Sequence, residues 1–402
     1  MRKTISWLIT LTIILGICPV MAVNAAWDGQ AATALQGSGK SASDPYLIGT
    51  AAELKYASIL VNEKGETSAY FKLTADIDYE NNEWIPFAHN GSINYSGTFD
   101  GDGYVVKNLK ITDSSISRKG FFGQLNGSTI KNLGVDNMTI SISDTANGHR
   151  MGALVCRASG TITNCYVKNS TVHHTGASGE EYGVAGFVGS TRIGTTISNC
   201  YVYGTDVKGC GRHVGAFLGQ MEHDGTVSNC YVANTTVTNT AGKPTYAFGN
   251  TQGKTVSGGN NHSTLTSMGD ADLAPTPSSE DAIVNGLVAF DANCAYKVNS
   301  KINNGYPCMS YQKAAAYDNE YEVAMFTDAD GIKVRIEENE AVADAVVYVA
   351  TYDNDGRLIA AEALDVDTIV TSTLSTAGVK TIKVFVWDAS NNSLALAKVI
   401  NK

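Results

Sequence analysis

The chain has 402 residues, with 29 basic against 39 acidic side chains for a formal net charge of −10, and it carries 40 glycines but only 7 prolines. That acidity argues against nucleic acid and anionic lipid surfaces as partners. The length allows two domains, and glycine in such number, with many Ser, Thr and Asn, points to turn-rich β-structure rather than helix.

Residues 1–25 read as an export signal: Arg2 and Lys3, an apolar core from Trp7 to about Val20, then small residues ending Val23-Asn24-Ala25. The apolar core is shorter than the ~20 residues that span a bilayer, and Pro19 interrupts its end, so no membrane insertion is expected after its removal. Bulky Ile17 before Cys18 argues against a lipid anchor, and the terminal Val399-Ile400-Asn401-Lys402 has no sorting motif. The expected location is secreted or extracellular, with any cell-surface association made through a partner. Next, Thr50-Ala51-Ala52-Glu53 is a capping box opening a helix with Leu54, Ala57, Ile59, Leu60 and Val61 as apolar positions. It is the one convincing helix of the sequence and is read as an end cap.

From there one hexapeptide recurs: IKNLGV (130–135), ITNCYV (162–167), ISNCYV (197–202) and VSNCYV (227–232), preceded by a degenerate VVKNLKI around Asn108. Asn132, Asn164, Asn199 and Asn229 lie 32, 35 and 30 residues apart. A Gly-flanked apolar signature precedes each copy by about ten residues: GFFG from Gly120, GALV from Gly152, GFVG from Gly186 and GAFLG from Gly215. Two signatures in one phase predict a right-handed parallel β-helix over 26–315, with three short strands per coil. Coils stacked about 4.8 Å apart place like on like. Phe121, Leu154, Phe187 and Phe217 form one predicted core ladder and Leu133, Cys165, Cys200 and Cys230 another. Asn108, Asn132, Asn164, Asn199 and Asn229 form an inside turn whose amides bond along the stack.

The repeats fade into a Pro/Ser-rich stretch around 274–279, then an apolar segment IVNGLVAF and the tripeptide Gly305-Tyr306-Pro307, which closes the helix. Outside the leader seven cysteines remain, an odd number; those within the repeats read as buried packing, and Cys294 with Cys308 is the candidate disulfide. From 316 to 402 the Asn ladder is gone, and alternating strands such as AVVYVATY and IKVFVWD with Asp-Gly turns predict a small β-sandwich.

These residues resemble the GLUG-motif proteins, named for the short Gly-flanked repeat that GFFG, GFVG and AFLG represent here. The likeness covers Trp27 to about Tyr311, including the opening WDG, SASDPYLIGTAAEL, YFKLTADID, SGTFDGDG and the closing NNGYP. The run from 316 looks like an Ig-like accessory sandwich of secreted clostridial-type proteins. The resemblance implies a cell-surface or secreted β-helix, found in adhesins or beside carbohydrate-active domains. It implies no catalytic residue and no cofactor.

A β-helix lyase or glycoside hydrolase would need carboxylates at matching positions of neighbouring coils. Instead Asp136 aligns with Lys168, Tyr203 and Ala233, and Asp206 with Thr171 and Thr236, while Glu222 aligns with Arg192 as a surface ion pair. Asp100 and Asp102 in FDGDG suit a turn rather than a calcium site, and Asp353 to Glu362 a hairpin rather than an EF-hand. The histidines, His173-His174 among them, read as surface loops without metal spacing. Tyr166, Tyr201 and Tyr231 recur in three coils and should point outward: they are either a platform for sugar or peptide, or rings that stack on each other to stabilise one face. The expected function is therefore non-catalytic interaction with an extracellular glycan or protein surface; the alternatives are a carbohydrate-active enzyme or a structural subunit of a surface assembly. Oligomeric state is not readable.

Overall fold

The computed structural model describes residues 27–401 apart from 145–149, 177–182, 270–271, 275, 289–293, 300–301, 313–320, 329–330, 339–344, 366–368, 376, 388–392 and 397–399. The predicted export signal lies outside these residues, as does the expected boundary at 315/316. The fold is almost entirely β: a parallel β-solenoid of about six turns followed by a small antiparallel region. Among the described residues no helix is long and apolar enough to cross a membrane.

A representative coil runs through Met151–Gly152, the long strand Val155–Thr163, Tyr166–Lys168 and Thr171–His174. Each pairs in parallel with its equivalent one coil on: Val155 with Val188, Ile162 with Ile197, Tyr166 with Tyr201, Thr171 with Asp206. Among the described residues the stack therefore has four parallel sheets, of 11, 7, 5 and 4 strands, where three strands per coil were expected. The extra short strand lies on the Gly-flanked signature. There the backbone kinks so tightly that a Cβ on Gly152 would sit 2.5 Å from the Gly189 nitrogen, so only glycine fits.

The hexapeptide is a corner, not one strand. In ITNCYV, Ile162 ends the long strand, Asn164 turns the chain in the left-handed region at φ 54°, Cys165 points into the core, and Tyr166 and Val167 open the next sheet. Asn132, Asn199 and Asn229 hold the same conformation, at φ 54°, 52° and 53°. Asparagine tolerates this region better than other residues with a Cβ. Its amide also finds a partner in the coil before: Asn132 donates to Asp100 (3.0 Å), Asn164 to Asn132 (3.2 Å), Asn199 to Asn164 (3.2 Å), Asn229 to Asn199 (3.4 Å) and Asn260 to Asn229 (2.9 Å). Asn108 is not in this column. Val105, Val106 and Lys107 pair with Gly134, Val135 and Asp136, so Asn108 sits one corner further on, beneath Asn137, and forms a second ladder from Asn137 through Asn108 to Asp78. The VVKNLKI copy was placed one strand out of phase because Asn-Leu occurs at both corners.

Inside, Phe121, Leu154, Phe187 and Phe217 are fully buried, and Phe187, Phe217 and Phe248 stack at 4.5 and 4.6 Å. Leu133, Cys165, Cys200 and Cys230 are buried too, each of these thiols donating to the carbonyl two residues back. The N-terminal end is closed by the helix Ala51–Glu63, with Thr50 accepting from the Glu53 amide (3.2 Å) and the Glu53 carboxylate accepting from the Gly49 amide (2.8 Å). Leu54, Ala57, Leu60 and Val61 are buried in the solenoid core, while Ile59 is half-buried. At the other end the Asp272 carboxylate accepts from the amides of Phe248 and Gly249, blunting the last rung.

Beyond it, IVNGLVAF holds not a bare apolar segment but part of a second helix, Glu280–Leu287, capped by Ser279. In the C-terminal region Tyr321–Asp328, Gly331–Glu338 and Ile369–Ser372 form one antiparallel sheet. Leu358–Asp365, Val346–Tyr352, Thr381–Trp387 and Ser393–Leu396 form another, and Ile332, Val334, Val347, Val349, Ile382, Val384 and Val386 make their common core. The Asp353 to Gly356 segment is the hairpin turn, Asp353 accepting from the amides of Asp355 and Arg357.

The corner asparagine is expected to serve conformation and ladder separately. Asn199→Gly and Asn199→Ala both remove the amide bonds to Asn164 and Asn229, but alanine also carries the strain of φ 52°. In urea denaturation Asn199→Ala should be the less stable of the two by about 1 kcal/mol; equal losses would show that the left-handed turn is not what selects asparagine.

Candidate functional site

Tyr166, Tyr201 and Tyr231 pair in register across the seven-stranded sheet and stack with ring centroids 5.0 Å apart in both steps, at interplanar angles of 3° and 15°. They leave the solenoid core as alternation requires, but they do not reach solvent: all three are at most 1% exposed. The helix Glu280–Leu287 and residues 294–299 and 302–312 lie over them, and Ile283, Val284, Leu287, Val288, Tyr296 and Met309 join the rings in a second core outside the first. An open platform along the whole column is therefore ruled out.

The cover is fastened through hydroxyls. Tyr201 donates to Gln312 Oε1 (2.7 Å), Tyr231 to the Pro307 carbonyl, and Asn303 donates to the Tyr231 oxygen (3.2 Å). In return Tyr296 donates to the carbonyls of Cys200 and Asn229, and Tyr311 to that of Asn164 (2.7 Å). Buried tyrosine is tolerated because its O–H finds a partner. Cys294 and Cys308 belong to this cover but do not form the expected bridge. Lys297 and Tyr296 pair with Cys308 and Met309, so the antiparallel register puts Cys294 three residues from Cys308's partner, too far for a disulfide, and the Cys294 thiol turns to the Leu287 carbonyl (3.4 Å).

The column ends where IKNLGV departs from the other copies. Gly134 stands in the tyrosine position, and the Tyr166 ring occupies its space so closely that a Cβ on Gly134 would lie 2.4 Å from the phenol. Beyond that ring opens a cavity of about 350 Å3 lined by Asp76, Asp102, Tyr104, Tyr166, Lys168 and Tyr311. Asp76 accepts from the Val105 amide (2.9 Å), Asp102 pairs with Lys72 (3.0 Å), and Lys168 pairs with Asp136 (3.3 Å). Burial, with the charges of Asp136 and Asp76, pushes the Tyr166 phenol up, and burial does the same to Tyr311, so both stay protonated and able to donate. Aromatic faces, fixed hydroxyls and carboxylates converging on one concave wall form a binding-site arrangement. Sequence reasoning found Tyr166 but missed the rest. The signal was the Gly134 exception together with the tyrosines of GYPCMSY.

Other expectations are corrected. Glu222 follows Met221, the register partner of Thr191, and so aligns with Arg192 as expected, but its ion pairs run to Arg150 (3.1 Å) and Arg157 two coils back, with its side chain 15% exposed. Burial opposes its ionisation, but the Arg157 hydrogen bond and the two guanidinium charges outweigh it and hold the carboxyl below its usual range. His174 is no loop residue. It ends the strand Thr171–His174, is fully buried, and has Nδ1 3.3 Å from Cys210 Sγ, while His173 bonds Asp206 (2.7 Å). Asp136 stands beside Lys168, and Asp206 between Thr171 and Thr236, so these acids are apart. Asp100 accepts from the Asp102 amide and Asn132 as a turn residue. Among the described residues no group of three or more His, Cys, Asp or Glu could hold a metal ion.

No family model matches the chain, and no solved structure matches it. Among curated proteins it is similar to Halomucin of Haloquadratum walsbyi (strain DSM 16790 / HBSQ001), at 30% identity over 161 residues, covering 36% of this chain and 2% of that protein. The chain thus spans a very small part of the curated relative it matches.

Removing only the Tyr201 hydroxyl tests the cover. Tyr201→Phe leaves the ring stack and deletes the bond to Gln312, so it should cost about 1 kcal/mol and speed amide hydrogen exchange around Met309 to Gln312. Unchanged exchange there would mean that the cover does not depend on this bond.

Proposed function

We propose that the protein is a secreted or cell-surface, non-catalytic interaction protein whose solenoid presents a glycan-binding cavity at the end of the tyrosine column. The observation that carries this reading is the cavity that the partly exposed Tyr104 and Tyr311 line together with Asp76 and Asp102, with the buried Tyr166 ring behind them. Sugar rings offer apolar C–H faces and hydroxyl rims, and aromatic faces flanked by carboxylate acceptors complement both. The acidic net charge and the two rim aspartates favour an uncharged sugar over an anionic one. The partial likeness to Halomucin supports a surface-type reading and says nothing of a ligand. Kinship with the GLUG-motif proteins is part of the proposal and rests on the repeated sequences alone.

One observation favours a second reading, a glycoside hydrolase: Asp76 and Asp102 line the same cavity, and paired carboxylates are what hydrolysis needs. Against it, Asp76 accepts from a backbone amide and Asp102 pairs with Lys72, so each carboxylate already has a partner on the protein.

Affinity electrophoresis in gels containing neutral β-glucan, mannan or xylan separates the readings. At least one polysaccharide should retard the protein without being shortened, and Tyr104→Ala should abolish retardation while leaving the thermal transition in place. Release of reducing ends that Asp76→Asn abolishes would establish the hydrolase instead, and mobility unaffected by every polysaccharide would remove the glycan reading.

A further inference from the structure

The tyrosine cavity has a neighbour on the same face. A second cavity, of about 390 Å3, lies over the asparagine corner and is lined by Asn164, Asn199, Asn229, Leu287, Tyr296 and Ser310. Tyr311 links their walls: it lines the first, and its hydroxyl bonds the carbonyl of Asn164, which lines the second. Their walls differ in chemistry. The first offers aromatic rings and carboxylates; the second offers side-chain amides repeating once per coil, at about the 4.8 Å spacing of stacked strands. Each asparagine amide carries two N–H groups, and the ladder engages one of them. Among the described residues no lysine or arginine lines the second cavity, so no cation there complements an anionic sugar.

We propose that the two cavities are successive subsites for one linear, uncharged oligosaccharide lying along the solenoid axis, with its end unit against Tyr104 and Tyr311 and its later units against the amides of Asn164, Asn199 and Asn229. Tyr311 separates the subsites and, tied to Asn164, fixes where one ends and the next begins. Repeating neutral donors suit repeating hydroxyls, and a ladder already braced along its length loses little freedom when a ligand arrives. This inference rests on the glycan reading of the first cavity and extends it to ligand length and direction.

Ser310 allows the extension to be tested apart from that reading, because it lines only the second cavity and is exposed, so a large side chain there fills space without entering a core. Calorimetric titration with disaccharide to octasaccharide members of the neutral series that retards the protein should show affinity rising about tenfold or more between the shortest and longest. Ser310→Trp, or Ser310→Arg if that variant folds poorly, should bring the long members down to the affinity of the disaccharide and leave the disaccharide unchanged. Equal affinity for all lengths, or a length advantage that survives both variants, overturns the extended site while leaving the first cavity standing. Failure of every length to bind removes both.

Discussion

The structure depends on one repeated constraint: at each coil from Asn132 to Asn260 the chain must turn through a left-handed corner, and the side chain there must satisfy itself along the stack. Asparagine meets both demands, with φ near 53° and an amide that donates to the coil before and accepts from the coil after. Once the corners are in register, every other position follows. The core ladders, the kinked glycines and the tyrosine stack all inherit their spacing from it.

Much of this was legible because a solenoid writes its contacts into its period. A parallel register pairs each residue with its equivalent, so repeats in sequence become ladders in space, as Phe187 on Phe217 and Cys165, Cys200 and Cys230 illustrate. What period cannot show is which of two similar corners a degenerate copy occupies, and Asn108 was misplaced for that reason. Nor does period report on segments outside the repeat. The cover, residues 280–288, 294–299 and 302–312, has no internal rhythm, its helix is short, and its bonds to Tyr201, Tyr231 and Asn164 span sequence separations of 111, 76 and 147 residues. Alternation rightly sent the tyrosines outward, but outward is not exposed when a later segment returns to lie on them. Distance in sequence likewise hid the pairing of Glu222 with Arg150 and Arg157.

The cover also explains why the candidate site is confined. A full column of stacked rings would be a long apolar stripe in water, and the second core buries it. At Gly134, where the stack stops, Tyr104, Tyr311 and the carboxylates of Asp76 and Asp102 stand together around a cavity. Binding chemistry sits at the defect in the repeat, because there the pattern that fills space elsewhere leaves some unfilled.

The two devices that hold the coils differ in one respect. The amide ladder is directional but indifferent to number: each asparagine looks only to its neighbours, so duplicating or deleting a coil in the middle would leave no amide facing its like. The cover counts. Tyr311 reaches Asn164 while Tyr296 reaches Cys200 and Asn229, and these anchors sit on a single strap of fixed length. Gain or loss of a coil between them would pull the strap off its carbonyls, so the cover sets the coil number over this stretch, a limit that the amide ladder alone does not impose.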